Sequence, residues 1–207
     1  EEAALLDSAA SMTTLDDVQL QRARLPVEVM LGPDVPQDKE TAITLAALVN
    51  AAYGYTRVST EDMSHRIRTA RNRALHIAFV DGKIAGCCSS TLHVPWCGPG
   101  CGHWGLLAVH PDAQGTGVAS ALVTHAEQRL AHAGMSKVQI EYSYSRGNDQ
   151  CERLLSWYEG TLGFRGPASR DSGFRVCRKR LDPLGSLQWI CCQWFAAIVR
   201  WVCGGNY

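Results

Sequence analysis

The stretch Gly102–Ala133, GHWGLLAVHPDAQGTGVASALVTHAEQRLAHA, constrains this chain more than any other. Its apolar run Leu106-Leu107-Ala108-Val109 reads as a buried strand, which His110-Pro111-Asp112 breaks. Gln114-Gly115-Thr116-Gly117-Val118-Ala119 then forms a loop. Val118, Leu122, Ala126 and Leu130, spaced four apart, predict a helix with one apolar stripe against a sheet, and Gly134 ends it. Strand, glycine loop and helix together offer free backbone N–H groups at a helix start. A phosphate-bearing ligand is therefore the first expectation.

The elements on either side predict a mixed α/β domain. Leu25–Leu31 is a short strand, Thr41–Tyr53 a helix closed by Gly54, and Ser59 caps a second helix running to about Arg73. The basic face of that helix, Arg66, Arg68, Arg71 and Arg73, reads as solvated. Leu75–Val80 and Lys83–Val94 form a hairpin around Asp81-Gly82, and the central strand follows a second turn at Trp96–Gly102. From Lys137 the pattern alternates, with Val138, Ile140, Tyr142 and Tyr144 on one face and Gln139, Glu141, Ser143 and Ser145 on the other. Cys151–Leu162 is a helix with Leu154, Tyr158 and Leu162 in line. Phe164 opens a strand, and Phe174–Leu181 is the last one.

These elements divide the 207 residues into a flexible extension over 1–23, one α/β domain over 24–182 and an apolar tail over 183–207. Within the tail, Leu187–Cys203 holds three of the six tryptophans, but Gln188, Gln193 and Arg200 interrupt it too often for a membrane span. Two readings stay open: a helix docked on the domain or on a second copy in a homodimer, and an interfacial membrane helix lipidated at Cys191 or Cys192. Twenty basic residues balance twenty acidic ones, so charge gives no argument for nucleic acid, and a polyanionic partner needs a local patch. The nine cysteines and the opening Glu1-Glu2-Ala3-Ala4, with no charged-then-apolar leader, suit a reduced, cytoplasmic protein most of whose thiols are small buried hydrophobes. His93, Cys97, Cys101 and His103 are ligand types for zinc, but their spacing matches no common finger and no metal is expected.

Two motifs in register sharpen the phosphate reading. Gln114, Gly117 and Ala119 supply a Gln-x-x-Gly-x-Ala loop, and about forty residues on comes Trp157-Tyr158-Glu159-Gly160-Thr161-Leu162-Gly163-Phe164. Together they resemble the pyrophosphate loop and the Tyr-Glu-x-x-Leu-Gly-Phe helix end of the GNAT superfamily of acyl-CoA N-acyltransferases. The likeness extends over roughly Pro26–Leu181, where the element order also agrees. No Gly-Lys-Ser/Thr follows, so this is not a nucleotide-binding P-loop.

The resemblance implies a mixed, mostly antiparallel central sheet with flanking helices and a splayed strand pair that binds CoA. It implies acetyl-CoA as co-substrate, an amine acceptor that is a small molecule or a peptide, and direct transfer in a ternary complex. A fold that holds CoA without turnover is the alternative. Backbone groups of Leu107, Ala108 and Val109 would track the pantetheine arm, and the amides of Gln114, Gly115, Thr116, Gly117, Val118 and Ala119 would hold the pyrophosphate. The amide of Val109 or Ala108 would stabilise an oxyanion. Tyr158 stands where the family has its acid for the departing thiolate. His103, six residues before Val109 where many relatives carry Glu, is the candidate base, with Glu141 as runner-up and Tyr142 or Tyr144 placing a water. Relatives often have Asn seven residues before the Tyr. Here that position is Cys151, with Asn148 as the nearby substitute. The acceptor site would be framed by Tyr53, Tyr55, Glu61, Asp62, Arg170 and Asp171.

Overall fold

Six strands join in chain order into one sheet in the computed structural model, which describes residues 26–168 and 171–181. They are β1 (Glu28–Leu31), β2 (Arg73–Val80), β3 (Lys83–Thr91), β4 (Cys101–Val109), β5 (Lys137–Tyr144) and β6 (Gly173–Arg180). Every neighbouring pair is antiparallel except β4 and β5, which run parallel. That exception follows from the helix lying between them in sequence, since a parallel neighbour needs a crossover. The expectations for residues 1–23, for the tail from 183 and for Arg170 lie outside the described residues.

Helices cover both faces. α1 (Lys39–Tyr53) starts at Asp38, whose side chain accepts from the Thr41 N–H at 2.7 Å, and ends at left-handed Gly54. α2 (Thr60–Arg68) opens with a capping box in which Ser59 and Asp62 satisfy each other's backbone N–H groups. Their apolar stripes, including Leu45, Val49, Met63 and Ile67, pack with Leu75, Ile77, Cys87 and Ala108 on one face. α3 (Val118–His132) lays Val118, Leu122, Ala126 and Leu130 on the other face, against Ala78, Cys88, Trp104 and Val138. The predicted stripe of α3 is thus its buried stripe.

Several boundaries move. The Ser59 helix stops at Arg68 rather than Arg73, because Arg73 already pairs with Thr91 at the start of β2. The return strand ends at Thr91, three residues short of Val94. Instead of one helix over Cys151–Leu162 there is a short α4 (Asp149–Leu155) followed by a π-helical turn, Ser156–Thr161. Phe164 opens no strand; only an isolated bridge joins Arg165 to Arg178. Against the expectation of a reduced protein, Cys97 and Cys101 are joined in a disulfide across the turn before β4, with their Cα atoms 5.5 Å apart. The zinc reading of that turn loses two of its four donors to this bond. Among the described residues, no three or more metal-ligating side chains come together.

Candidate active site

The parallel pairing of β4 and β5 is short. It joins Cys101 to Lys137, Gly102 to Val138 and His103 to Gln139, and then it stops. From Trp104 to Val109 and from Ile140 to Tyr144, the facing edges carry no ladder. A bulge in β4 sits at this gap: Gly105 pairs with Ser89 and Ala108 with Cys87, so Leu106 and Leu107 together stand opposite Cys88. Leu106 takes φ 54°, a left-handed conformation that a branched residue rarely adopts. Leu107, Ala108 and Val109 follow it along the open edge.

The loop after β4 delivers the helix start as expected. Gly115 (φ 78°) and Gly117 (φ 92°) are both left-handed, a conformation glycine takes without a Cβ penalty. No side chain caps α3, and bonding to its start begins with the Ala121 N–H to the Gly117 carbonyl at 3.0 Å. The amides of Val118, Ala119 and Ser120 precede that bond, so they are the unfilled donors of a helix N-terminus. Thr116 is turned inward by its hydroxyl, which donates to the Ala113 carbonyl at 2.7 Å.

Tyr158 lies under the gap. Its ring contacts Trp104 from β4 (centroids 5.9 Å apart) and Tyr142 from β5 (4.8 Å), one side chain from each diverging strand. The π turn fixes its backbone: the Leu162 N–H reaches back five residues to Trp157, and the Phe164 N–H donates to the Tyr158 carbonyl. Glu159 anchors the turn through Oε1, which accepts from the Tyr142 hydroxyl (2.9 Å) and from Nε and Nη2 of Arg175 (3.0 and 2.8 Å). The Tyr158 side chain is buried, yet no buried side-chain oxygen or nitrogen among the described residues lacks a partner. Since its hydroxyl makes no hydrogen bond with the described residues, it reaches open space. Burial pushes its pKa up to about 12, with Tyr53 and Cys88 adding to the rise.

His103 occupies the other face, at the last paired position of β4. Nδ1 lies 2.9 Å from the Gln139 carbonyl, which can only accept, so Nδ1 carries the proton and Nε2 keeps its lone pair. Nε2 is directed along β4, where a Cβ added at Gly105 would meet it at 3.0 Å. Burial lowers the His103 pKa below its ordinary value, while the Gln139 bond and the Glu141 charge oppose that and Arg73 reinforces it. The imidazole is therefore neutral near pH 7.

Other candidates find mixed placements. Glu141 is exposed on the His103 face, and its Oε1 accepts from Gln139 Nε2 at 2.8 Å. Tyr142 and Tyr144 are buried on the opposite face, away from His103. Asn148 is the N-cap of α4, its side chain accepting from the amides of Gln150 and Cys151. The Cys151 thiol lies 3.9 Å from the Ser143 carbonyl. Asp62 is spent in its capping box, and Arg57 stacks over Tyr53 at 4.8 Å and donates to the Tyr55 hydroxyl. Gln139 was not legible as a site residue. Alternation places it on a polar face, yet it is buried and bonded to both Glu141 and Arg178.

A family model described as acetyltransferase (GNAT) family matches residues 44–156. The chain belongs to that family. No curated protein matches it. Among solved structures, the PaiA N-acetyltransferase of Thermoplasma acidophilum in complex with coenzyme A is 17% identical, covering 75% of this chain and 99% of its own, with TM-score 0.57. The ribosomal-protein-S18-alanine N-acetyltransferase of Escherichia coli is 15% identical over 76% of this chain and 95% of its own, TM-score 0.56. The yncA protein of Salmonella typhimurium, with its cofactor acetyl-CoA, is 17% identical over 75% and 94%, TM-score 0.56. At such identities the likeness is one of fold.

Proposed function

We propose that this chain is an N-acetyltransferase that moves an acetyl group from acetyl-CoA directly to an amine while both are bound. The observation that carries the reading is the placement of Tyr158 and His103 on opposite faces of the sheet, at the point where β4 and β5 part. The donor set suits CoA: unfilled amides at the start of α3 for a pyrophosphate, and an unpaired strand edge at Leu107–Val109 for an amide-bearing arm. Acetyl-CoA supplies the activated acyl thioester. The bulged edge of β4 orients that arm, and an amide of Ala108 or Val109 stabilises the oxyanion that forms on transfer.

An alkyl ammonium with a pKa near ~10 must lose a proton before it attacks. Neutral His103 takes that proton at Nε2, directly or through a water, while the Gln139 carbonyl holds the ring by its other nitrogen. Glu141 favours the imidazolium that results. On the far face Tyr158 keeps its proton at neutral pH and donates a hydrogen bond to the departing sulfur. The same apolar surroundings that raise the phenol raise the thiol, which keeps the two matched.

The test is thiol release from acetyl-CoA against a panel of amines, amino acids and peptides. Tyr158→Phe, which removes only the hydroxyl, lowers kcat by about 100-fold with KM for acetyl-CoA little changed, the scale of a lost proton-transfer group. Unchanged turnover overturns the role of Tyr158. Acetyl-CoA binding with no amine consumed overturns the enzyme reading in favour of a CoA-holding module.

A further inference from the structure

The basic face expected of the Ser59 helix is solvated only in part. Arg68 and Arg71 are exposed, but Arg66 is half-buried, and its side chain makes no hydrogen bond or ion pair with the described residues. Burial lowers its pKa from the ordinary guanidinium value, the charges of Arg73 and Arg57 reinforce that, and Asp62 opposes it. The Asp62 carboxylate, however, is held in the capping box, where it accepts from the Ser59 N–H. Arg66 is therefore a partly desolvated cation without an ion-pair partner.

Arg57 is the second cation, and it is held still. Its backbone N–H donates to Asn50 Oδ1 at 2.7 Å, which pins the connection to α1. Its guanidinium lies over the Tyr53 ring at 4.8 Å, and Nη1 donates to the Tyr55 hydroxyl at 2.9 Å. The two tyrosine rings meet edge to face with centroids 6.1 Å apart. Arg57 is exposed, and its side chain meets no carboxylate among the described residues. Two aromatic side chains thus fix the guanidinium and leave its Nε–Nη2 edge unspent. That edge presents two parallel N–H donors, the match for both oxygens of one carboxylate.

Both cations lie on the His103 face, beside the open part of β4. Tyr53, under Arg57, packs with Leu106 of the bulge against one apolar cluster that contains Cys87 and Ala108. Ala108 carries one of the two candidate oxyanion amides. Cys87 is its register partner, and the Arg66 charge acts on the Cys87 thiol, easing down a pKa that burial raises. His103 Nε2 is directed towards Gly105, the residue before Leu106. Tyr53 in turn adds to the raised pKa of Tyr158 beneath the gap. Base, bulge and unpaired guanidinium groups therefore converge on one end of the site.

We propose that Arg57, together with Arg66, determines acceptor specificity by binding the carboxylate of a small amino acid whose amine is presented to His103. An amino acid suits the arrangement because the cations and the base lie on the same face of the sheet, so one short molecule meets both. Transfer, though not binding, rests on the N-acetyltransferase reading.

Two measurements on the full chain separate these. In the first, thiol release from acetyl-CoA is followed with the standard amino acids and with their carboxamides, which keep size and amine but lose the negative charge. The best acid is used with a kcat/KM about 10–100-fold above its amide, mainly through KM, the scale of a charged hydrogen-bonded pair. Arg57→Gln brings that ratio close to one, and Arg57→Lys, which keeps the charge but not the fork, restores it only in part. In the second, thermal shift with the same panel in the presence of CoA shows stabilisation by acids over amides, and Arg57→Gln abolishes the difference. Equal use and equal shifts for acid and amide, or no shift from any acid, overturn the proposal. So does a preference for the acid that survives Arg57→Gln. Phosphoethanolamine used better than every amino acid overturns it in favour of a phosphorylated amine, and acetylation of peptide amines alone overturns it in favour of a peptide acceptor. Arg57-dependent binding of acids with no thiol released supports the carboxylate site and overturns the transfer reading alone.

Discussion

Glu141 tunes the candidate base without needing to replace it. Burial lowers the pKa of His103 and the Glu141 carboxylate pulls it back up. A base works when deprotonated, so kcat/KM falls as pH drops through that lowered pKa, below the ordinary histidine value of about 6.5. Replacing Glu141 with Gln removes an upward influence, and the acid limb of the pH–rate profile moves to lower pH. A limb that stays in place or moves up shows that His103 is not the group being read. At this scale the sequence was partly legible. Tyr158, His103 and Glu141 were marked by motif and spacing. Gln139 and Arg178 were not, because alternation assigns faces and is silent on whether a polar face is covered by its own hydrogen bonds.

The bulge of β4 and the π turn after α4 are the two irregular elements at the candidate site, and each was invisible for the same reason: an extra residue breaks the period that sequence reading relies on. The regular elements around them were legible from apolar spacing and from turn residues such as Asp81-Gly82. Gly86 ties the bulge to the helix behind it. A Cβ there would lie 2.8 Å from the Ala108 carbonyl and 3.0 Å from Val118 Cγ1. Gly86→Ala therefore pushes on the proposed pantetheine track and on the first turn of α3 together. The expected cost is about 1–3 kcal/mol of stability, read by thermal melting, with a raised KM for acetyl-CoA. An unchanged melting temperature contradicts this account of the contact.

Across the whole molecule, one buried polar network joins three elements. His76 of β2 lies 2.7 Å from both His125 of α3 and Ser90 of β3, and Arg129 donates to Ser90 and to the Ala70 carbonyl. Burial drives the His76 pKa down to about 3, with His125 and Arg129 reinforcing it. The unfolded chain therefore binds a proton that the folded chain refuses between pH 6.5 and 3, and stability falls as pH drops through that window. From pH 7 to 5 the loss is about 2 kcal/mol, and a His76→Asn variant shows a flatter dependence in denaturant titrations. A wild-type slope no steeper than the variant's rules the assignment out. The sequence placed His76 in a strand but gave no sign of its partners, which lie 14 and 49 residues away.

The three residue pairs that join β4 to β5 have a mechanical meaning. Four strands on one side and two on the other make a pair of plates held by a short hinge at Cys101–His103 and Lys137–Gln139. A ligand arm lying along β4 works as a splint on that hinge, and ligand at 100 times its Kd adds about 2.7 kcal/mol to the folded state. Amide hydrogen exchange should then slow along Trp104–Val109 on adding CoA, while the far plate edge at β1 keeps its rate. Uniform slowing across the sheet would mean that the plates already move as one slab.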